Sequence, residues 1–246
     1  MSYIRQLFNA TPPVTKNLII INFIVWLFTQ VCGQKLNLNL TQFAALHYFS
    51  ASDFNPAQII TYMFMHDGFT HILFNMFTLF MFGITLERVL GAGKFLFYYI
   101  SCGIGAALTQ EFVWALTWHD TFTKILANLN HTDFATMSAI IDQAQAMGQD
   151  LPFLNSMLTV GASGAIFGIL LAFGMIFPNM PLYIMFIPIP IKAKWMVIGY
   201  GVIELFIGLT QPGSTVAHFA HLGGMIFGFL IILYWKHKGA INGRYY

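Results

Sequence analysis

The chain has 246 residues, of which 57% are hydrophobic, 17% aromatic and only 8% charged, where a soluble domain carries roughly 25% charged residues. A soluble core cannot absorb apolar stretches this long and numerous, so membrane lipid is the expected solvent and partner. The net charge of +2 supplies no basic field of the kind nucleic acid needs, and nucleic acid is not expected as a partner.

A spanning helix takes roughly 20 mostly apolar residues. The first stretch of this kind covers about 17–32, after Pro12-Pro13. Arg5 and Lys16 precede it as they would in a signal peptide, but no small-residue cleavage site follows Val31-Cys32, so a retained helix is expected. Residues 33–58 form a long loop punctuated by Asn, Gln and Pro. Apolar stretches follow at about 69–90 and 95–117. The connection 118–156 is long, and its 132–149 portion suits a short amphipathic helix. A fourth span is expected at 157–178, then a proline-crowded loop with Pro178, Pro181, Pro188 and Pro190. The last two spans fall at 195–211 and 216–235. The first and fifth are short, which calls for tilt or an interfacial extension. Cys32 and Cys102 lie in or at the ends of apolar segments, so no disulfide framework is expected.

With the N-terminus inside, Arg5, Lys16, Arg88, Lys94, Lys192, Lys194, Lys236, Lys238 and Arg244 are cytoplasmic, and only Lys35 and Lys124 lie outside. This positive-inside pattern predicts that both termini face the cytoplasm.

The fourth span contains Gly161-Ala162-Ser163-Gly164-Ala165-Ile166-Phe167-Gly168, an uncrowded hydroxyl among glycines. The plainer reading is a small-residue packing face formed by Gly164 and Gly168. The sixth span contains His218-Phe219-Ala220-His221-Leu222-Gly223-Gly224. An ionisable group inside a span is costly to bury and needs a partner. A backbone carbonyl would satisfy His221, and a metal on His218 and His221 is a further reading. The metal reading is disfavoured because there is no HExxH motif and no cysteine or carboxylate in register. Counted along the helices at 1.5 Å per residue, Ser163 and His221 both lie roughly 8–10 Å below the outer surface. A hydrogen bond between them would give the hydroxyl the base it needs as a nucleophile. The second span adds His71-Ile72-Leu73-Phe74-Asn75, an imidazole and an amide at i and i+4 near the same depth. They are either oxyanion donors, with the Ser163 N–H as a third, or interhelical packing bonds.

Taken together, GASGAIFG at 161–168, AHLGG at 220–224, HILFN at 71–75 and the preceding TYMFMHDGFTH resemble the rhomboid protease family, in the expected order across about 165 residues. The resemblance implies an all-α membrane protein, a six-transmembrane-helix bundle over 17–235. Outer loops at 33–68 and 118–156, a cytoplasmic segment 1–16 and a tail 236–246 complete it. It implies a serine endopeptidase with a Ser163–His221 dyad and no required acid, an oxyanion hole involving His71 and Asn75, and no cofactor or metal. Phe167, four residues after the serine, matches the family's aromatic ring on the catalytic imidazole. Glu87-Arg88 match an acidic residue and basic neighbour that tie the structure together. The implied partners are transmembrane protein substrates cut near the outer face, and the implied location is a bacterial inner (plasma) membrane. The chain departs from the family in lacking the Trp-Arg pair of the first loop and in its long 118–156 insertion.

Glu111 and Glu204 also lie in spans, but neither is assigned as a third member. Glu111 is near the outer end of span three, and Glu204 is too deep for His221 by roughly 5 Å or more on the rise arithmetic. Two other functions remain open at this point. One is a catalytically silent client-binding protein, which would ordinarily lack the serine or the histidine. The other is a transporter or proton channel, which would show repeats or broken helices at the midplane.

Overall fold

The computed structural model describes residues 10–148, 152–183, 189–211 and 216–241, so 1–9 of the expected segment 1–16 and 242–246 of the expected tail 236–246 lie outside these. It is a helical bundle. Helix α1 (Pro13–Leu36) begins with a proline in its first turn, where the missing N–H costs nothing, and ends at Asn37 in the left-handed region, φ 52. It is therefore longer at both ends than the 17–32 expected. Helix α2 spans Phe69–Leu90, with a π-helical stretch at Leu79–Gly83.

Helix α3 (Ala92–Leu129) has 38 residues, about 57 Å at 1.5 Å per residue. It runs well past the expected end at 117, so the first part of the supposed 118–156 loop is helix. Helix α4 (Phe134–Ala146), capped by the Asp133 side chain, lies within the expected 132–149 portion. Its Met137 and Ile141 pack with Ala127, Trp118, Phe122 and Leu126 of α3. Helix α5 (Ser163–Ile176) has 14 residues, about 21 Å, which is short of a roughly 30 Å hydrocarbon core. The fourth span thus starts at Ser163 and not at 157. The preceding segment is instead pinned by strand β2 (Leu158–Thr159), which pairs antiparallel with β1 (Leu46–His47) of the first loop. Strands β3 (Pro181–Tyr183) and β4 (Pro190–Lys192) pair across the proline-rich connection, giving ladder to what reads as loop. Helices α6 (Ala193–Thr210) and α7 (His218–His237) follow.

Among the described residues, four helices, α1, α2, α6 and α7, are long and apolar enough to cross a membrane by length and composition. The six helices α1, α2, α3, α5, α6 and α7 answer to the six apolar stretches. Helix α5 is central: ten of its 14 residues are buried. Helix α6 is peripheral, with only Ala193 and Val197 buried. An apolar residue facing outward here faces lipid, which explains why Val202, Ile203, Leu205 and Phe206 are 47–67% exposed.

Close approach of α5 and α7 depends on glycine. A Cβ at Gly224 would run into the backbone carbonyl of Gly164. Tyrosines fasten the same layer from α3 and the first loop: Tyr98 Oη donates to Gly168 O at 2.7 Å and Tyr62 Oη to Gly103 O at 2.7 Å. At the opposite end, buried Glu87 accepts from Val14 N, Thr15 N and Thr15 Oγ1 at 2.7–2.9 Å. A carboxylate there meets the unpaired N–H groups and positive end of α1. Arg88 Nη2 donates to Ala10 O at 3.0 Å.

Candidate active site

Ser163 is the first residue of α5, so its N–H belongs to the turn that finds no partner inside the helix. Its Oγ lies 2.8 Å from His221 Nε2 on α7. The His221 ring stacks on Phe167, one turn along α5, with centroids 4.2 Å apart and planes 7° from parallel. Tyr200 of α6 meets Phe167 edge-on at 6.3 Å. His221 is 7% exposed, while Ser163 is half-buried.

The other ring nitrogen changes the expected picture. His221 Nδ1 lies 2.9 Å from Glu204 Oε2 of α6, and His218 Nδ1 lies 2.7 Å from the same oxygen. Glu204 is therefore not too deep for His221. The rise arithmetic measures height along one helix, whereas the relative offset of two helices and the reach of a glutamate are settled only by packing. One ring nitrogen each of His218 and His221 and a carboxylate oxygen of Glu204 all lie within 4.8 Å of one another, so a carboxylate does stand in register with the two histidines. This is the donor set among the described residues that could hold a metal. At 2.7 and 2.9 Å the same atoms already satisfy one another as hydrogen bonds. Glu111 does something else: its Oε2 accepts from Phe49 N at 2.9 Å and fastens the first loop to α3.

His71 and Asn75 of α2 face the segment just before Ser163. Gly161 has φ 121, a conformation open to glycine, and its N–H donates to Tyr62 O at 2.9 Å. A Cβ there would stand 2.7 Å from His71 Nε2 and 3.6 Å from Asn75 Nδ2. The missing side chain is what lets both polar groups reach the serine turn. His71 Nδ1 donates to Asp67 Oδ1 at 2.6 Å. Asn75 Nδ2 donates to His66 Nε2 at 3.0 Å, and the two imidazoles meet edge-to-face at 4.9 Å. Burial, with the nearby His71 second, pushes the His66 pKa down to about 4, so His66 is a neutral acceptor that aims the Asn75 amide.

Sequence reasoning brought Ser163, His221, His71, Asn75 and Phe167 forward, and the structure gathers all five. It weighed Glu204 and left it unassigned, and it gave His66 and Asp67 no role. His66 and Asp67 sit in the HDGFTH stretch, where i and i+4 spacing from Asp67 to His71 was a usable signal.

A hydroxyl–imidazole pair, at the mouth of a short central helix in a bundle of apolar helices, defines a polytopic membrane protein with a serine and a histidine paired in its interior. Residues 54–238 match the Rhomboid domain family, and the chain belongs to that family of integral membrane proteins, which includes proteases. It is 29% identical over 235 residues to rhomboid protease AarA of Providencia stuartii, covering 89% of this chain and 70% of that one. It is 27% identical over 172 residues to mitochondrial Rhomboid protein 1 of Saccharomyces cerevisiae, and 29% identical over 194 residues to RHOMBOID-like protein 4 of Arabidopsis thaliana. The matched parts cover 70% and 76% of this chain but only 40% and 36% of those two relatives.

Proposed function

We propose that the chain is an intramembrane serine endopeptidase that cuts transmembrane proteins near the outer face of the membrane. The observation that carries this is the 2.8 Å contact of Ser163 Oγ with His221 Nε2 at the N-terminus of α5. His221 Nε2 takes the hydroxyl proton as Oγ bonds to the scissile carbonyl carbon, and the carbonyl π pair moves onto oxygen. The resulting oxyanion is met by the Ser163 N–H, Asn75 Nδ2 and His71 Nε2. For Nε2 of His71 to donate while Nδ1 bonds Asp67, the ring carries both protons and Asp67 balances its charge. The tetrahedral species then collapses: the C–N bond breaks, and the imidazolium gives its proton to the leaving amine. Water, deprotonated by the same Nε2, releases the acyl group from Ser163.

The shortness of α5 supports an aqueous reaction inside a membrane protein, because water and substrate approach Ser163 without crossing a full helix of lipid depth. A cleft of about 780 Å³ between the outer part of α3, residues 153–159 and the outer end of α6 reaches His218, one turn from the base, and would receive the chain flanking the cut. The charge pattern supports cytoplasmic termini, and the likeness to a bacterial relative over 89% of this chain supports a bacterial plasma membrane.

Serine-directed fluorophosphonate labelling of the purified protein tests the reading. Wild type should be labelled and should cleave a reporter transmembrane substrate. Ser163→Ala and His221→Ala should do neither, with melting temperature nearly unchanged. Asn75→Ala should lose roughly 10²–10³ in turnover, the cost of one oxyanion donor, yet still label slowly. Wild-type cleavage by Ser163→Ala would end the proposal.

A further inference from the structure

We propose that Glu204 is a positioning residue for this chemistry, so that the chain works with a Ser163–His221–Glu204 relay and not a bare dyad. The inference rests on the serine-protease reading. An ionised carboxylate only accepts hydrogen bonds, so the 2.9 Å contact with Glu204 Oε2 places the neutral ring's proton on Nδ1. That leaves the Nε2 lone pair aimed at the serine hydroxyl, 2.8 Å away, which is the tautomer a general base requires. The same carboxylate balances the imidazolium created when the proton arrives. Phe167, stacked flat on the ring, fixes its plane, and Glu204 fixes its rotation within that plane.

Two further observations separate this contact from incidental packing. Glu204 is 13% exposed by side chain, on a helix whose neighbouring residues are turned to lipid. An acidic group within a membrane helix is expensive to insert and is ordinarily turned inward to a partner, which makes its orientation toward a histidine pair informative. His218 Nδ1 bonds the same oxygen at 2.7 Å and holds that oxygen where His221 needs it. The role of His218 is thus one step further from the serine.

The test uses the full chain in detergent or liposomes. Fluorophosphonate labelling of wild type, and its loss in Ser163→Ala, first establishes the serine chemistry; an unlabelled wild type would defeat the protease reading itself. Glu204→Gln preserves size and hydrogen bonding but removes the charge. It should lower kcat and labelling rate by roughly 10²–10⁴-fold, leave KM and melting temperature near wild type, and Glu204→Asp should recover part of the loss. A purely structural role predicts the reverse order, with the isosteric Gln better than the shorter Asp. The relay is overturned if Glu204→Gln labels and cleaves at the wild-type rate. A second measurement needs no folded variant at position 204: ¹⁵N NMR of histidine-labelled wild type, assigned with His221→Asn, should show His221 protonated at Nδ1 and bare at Nε2. The opposite tautomer also overturns it.

Discussion

Among single residues, His66 shows how a side chain outside the reacting atoms shapes the site. It lies just before α2, 2% exposed, and its Nε2 accepts the Asn75 amide. Its pKa is pushed down from 6.5 to about 4, chiefly by burial. The unfolded chain therefore binds a proton here between pH 6.5 and 4 that the folded chain does not, so stability rises with pH through that window. The contribution is complete above pH 6.5 and is lost as pH falls toward 4, at most about 3 kcal/mol at 1.36 kcal/mol per unit. His66→Gln keeps an acceptor for Asn75 but no titration. Melting temperature in detergent, followed from pH 7 to 4, should fall less steeply in His66→Gln than in wild type. Parallel curves would remove His66 from this role. Glu204 teaches a related lesson, since a carboxylate's partner depends on where its helix is set, and nothing in the spacing of one chain segment reports that.

Helices α5 and α7 meet through glycines, and this contact sets the Ser163–His221 distance. The serine turn depends on Gly161 in the same way. Gly224→Ala would drive a methyl into the Gly164 carbonyl, where backbone cannot yield cheaply. Overpacking of this kind costs typically 1–3 kcal/mol. Gly199 on α6 has nothing within 4 Å of an added Cβ, so Gly199→Ala should stabilise by roughly 0.5–1 kcal/mol through helix propensity alone. Thermal unfolding of the two variants should move in opposite directions, and Gly224→Ala should also label more slowly. Shifts of the same sign would show that the α5–α7 approach is looser than this contact requires. The helix ends tell the complementary story. The apolar pattern located α2 closely, but it placed the start of the fourth span six residues early, because Leu158–Thr159 is as apolar as a helix turn and pairs with Leu46–His47 instead.

For the whole molecule, the charge distribution implies which way the bundle stands. Lys238, after α7, and Lys124, on the part of α3 beyond residue 117, are both exposed. In intact cells, a membrane-impermeant maleimide should label Lys124→Cys and leave Lys238→Cys untouched until the cells are opened. Background should be small, since Cys32 and Cys102 are buried. Labelling of Lys238→Cys from outside would invert the proposed orientation and move the serine site to the cytoplasmic side.

The sequence by itself determined that this is a membrane bundle and roughly where its helices run; depth and motif spacing pointed to Ser163, His221, His71 and Asn75, and the family resemblance added Phe167. Hydropathy and local motif spacing are properties of contiguous residues, so they survive in one dimension. The tertiary structure alone decided that α5 begins at the serine, that α3 continues beyond the expected end at 117, and that Glu204 closes onto two histidines. Each of these depends on a competition or an offset between segments distant in the chain. Strand pairing wins 158–159 from the helix, packing by α4 supports the extension of α3, and the lateral setting of α6 against α7 carries a carboxylate to the imidazole that sequence depth alone placed out of reach.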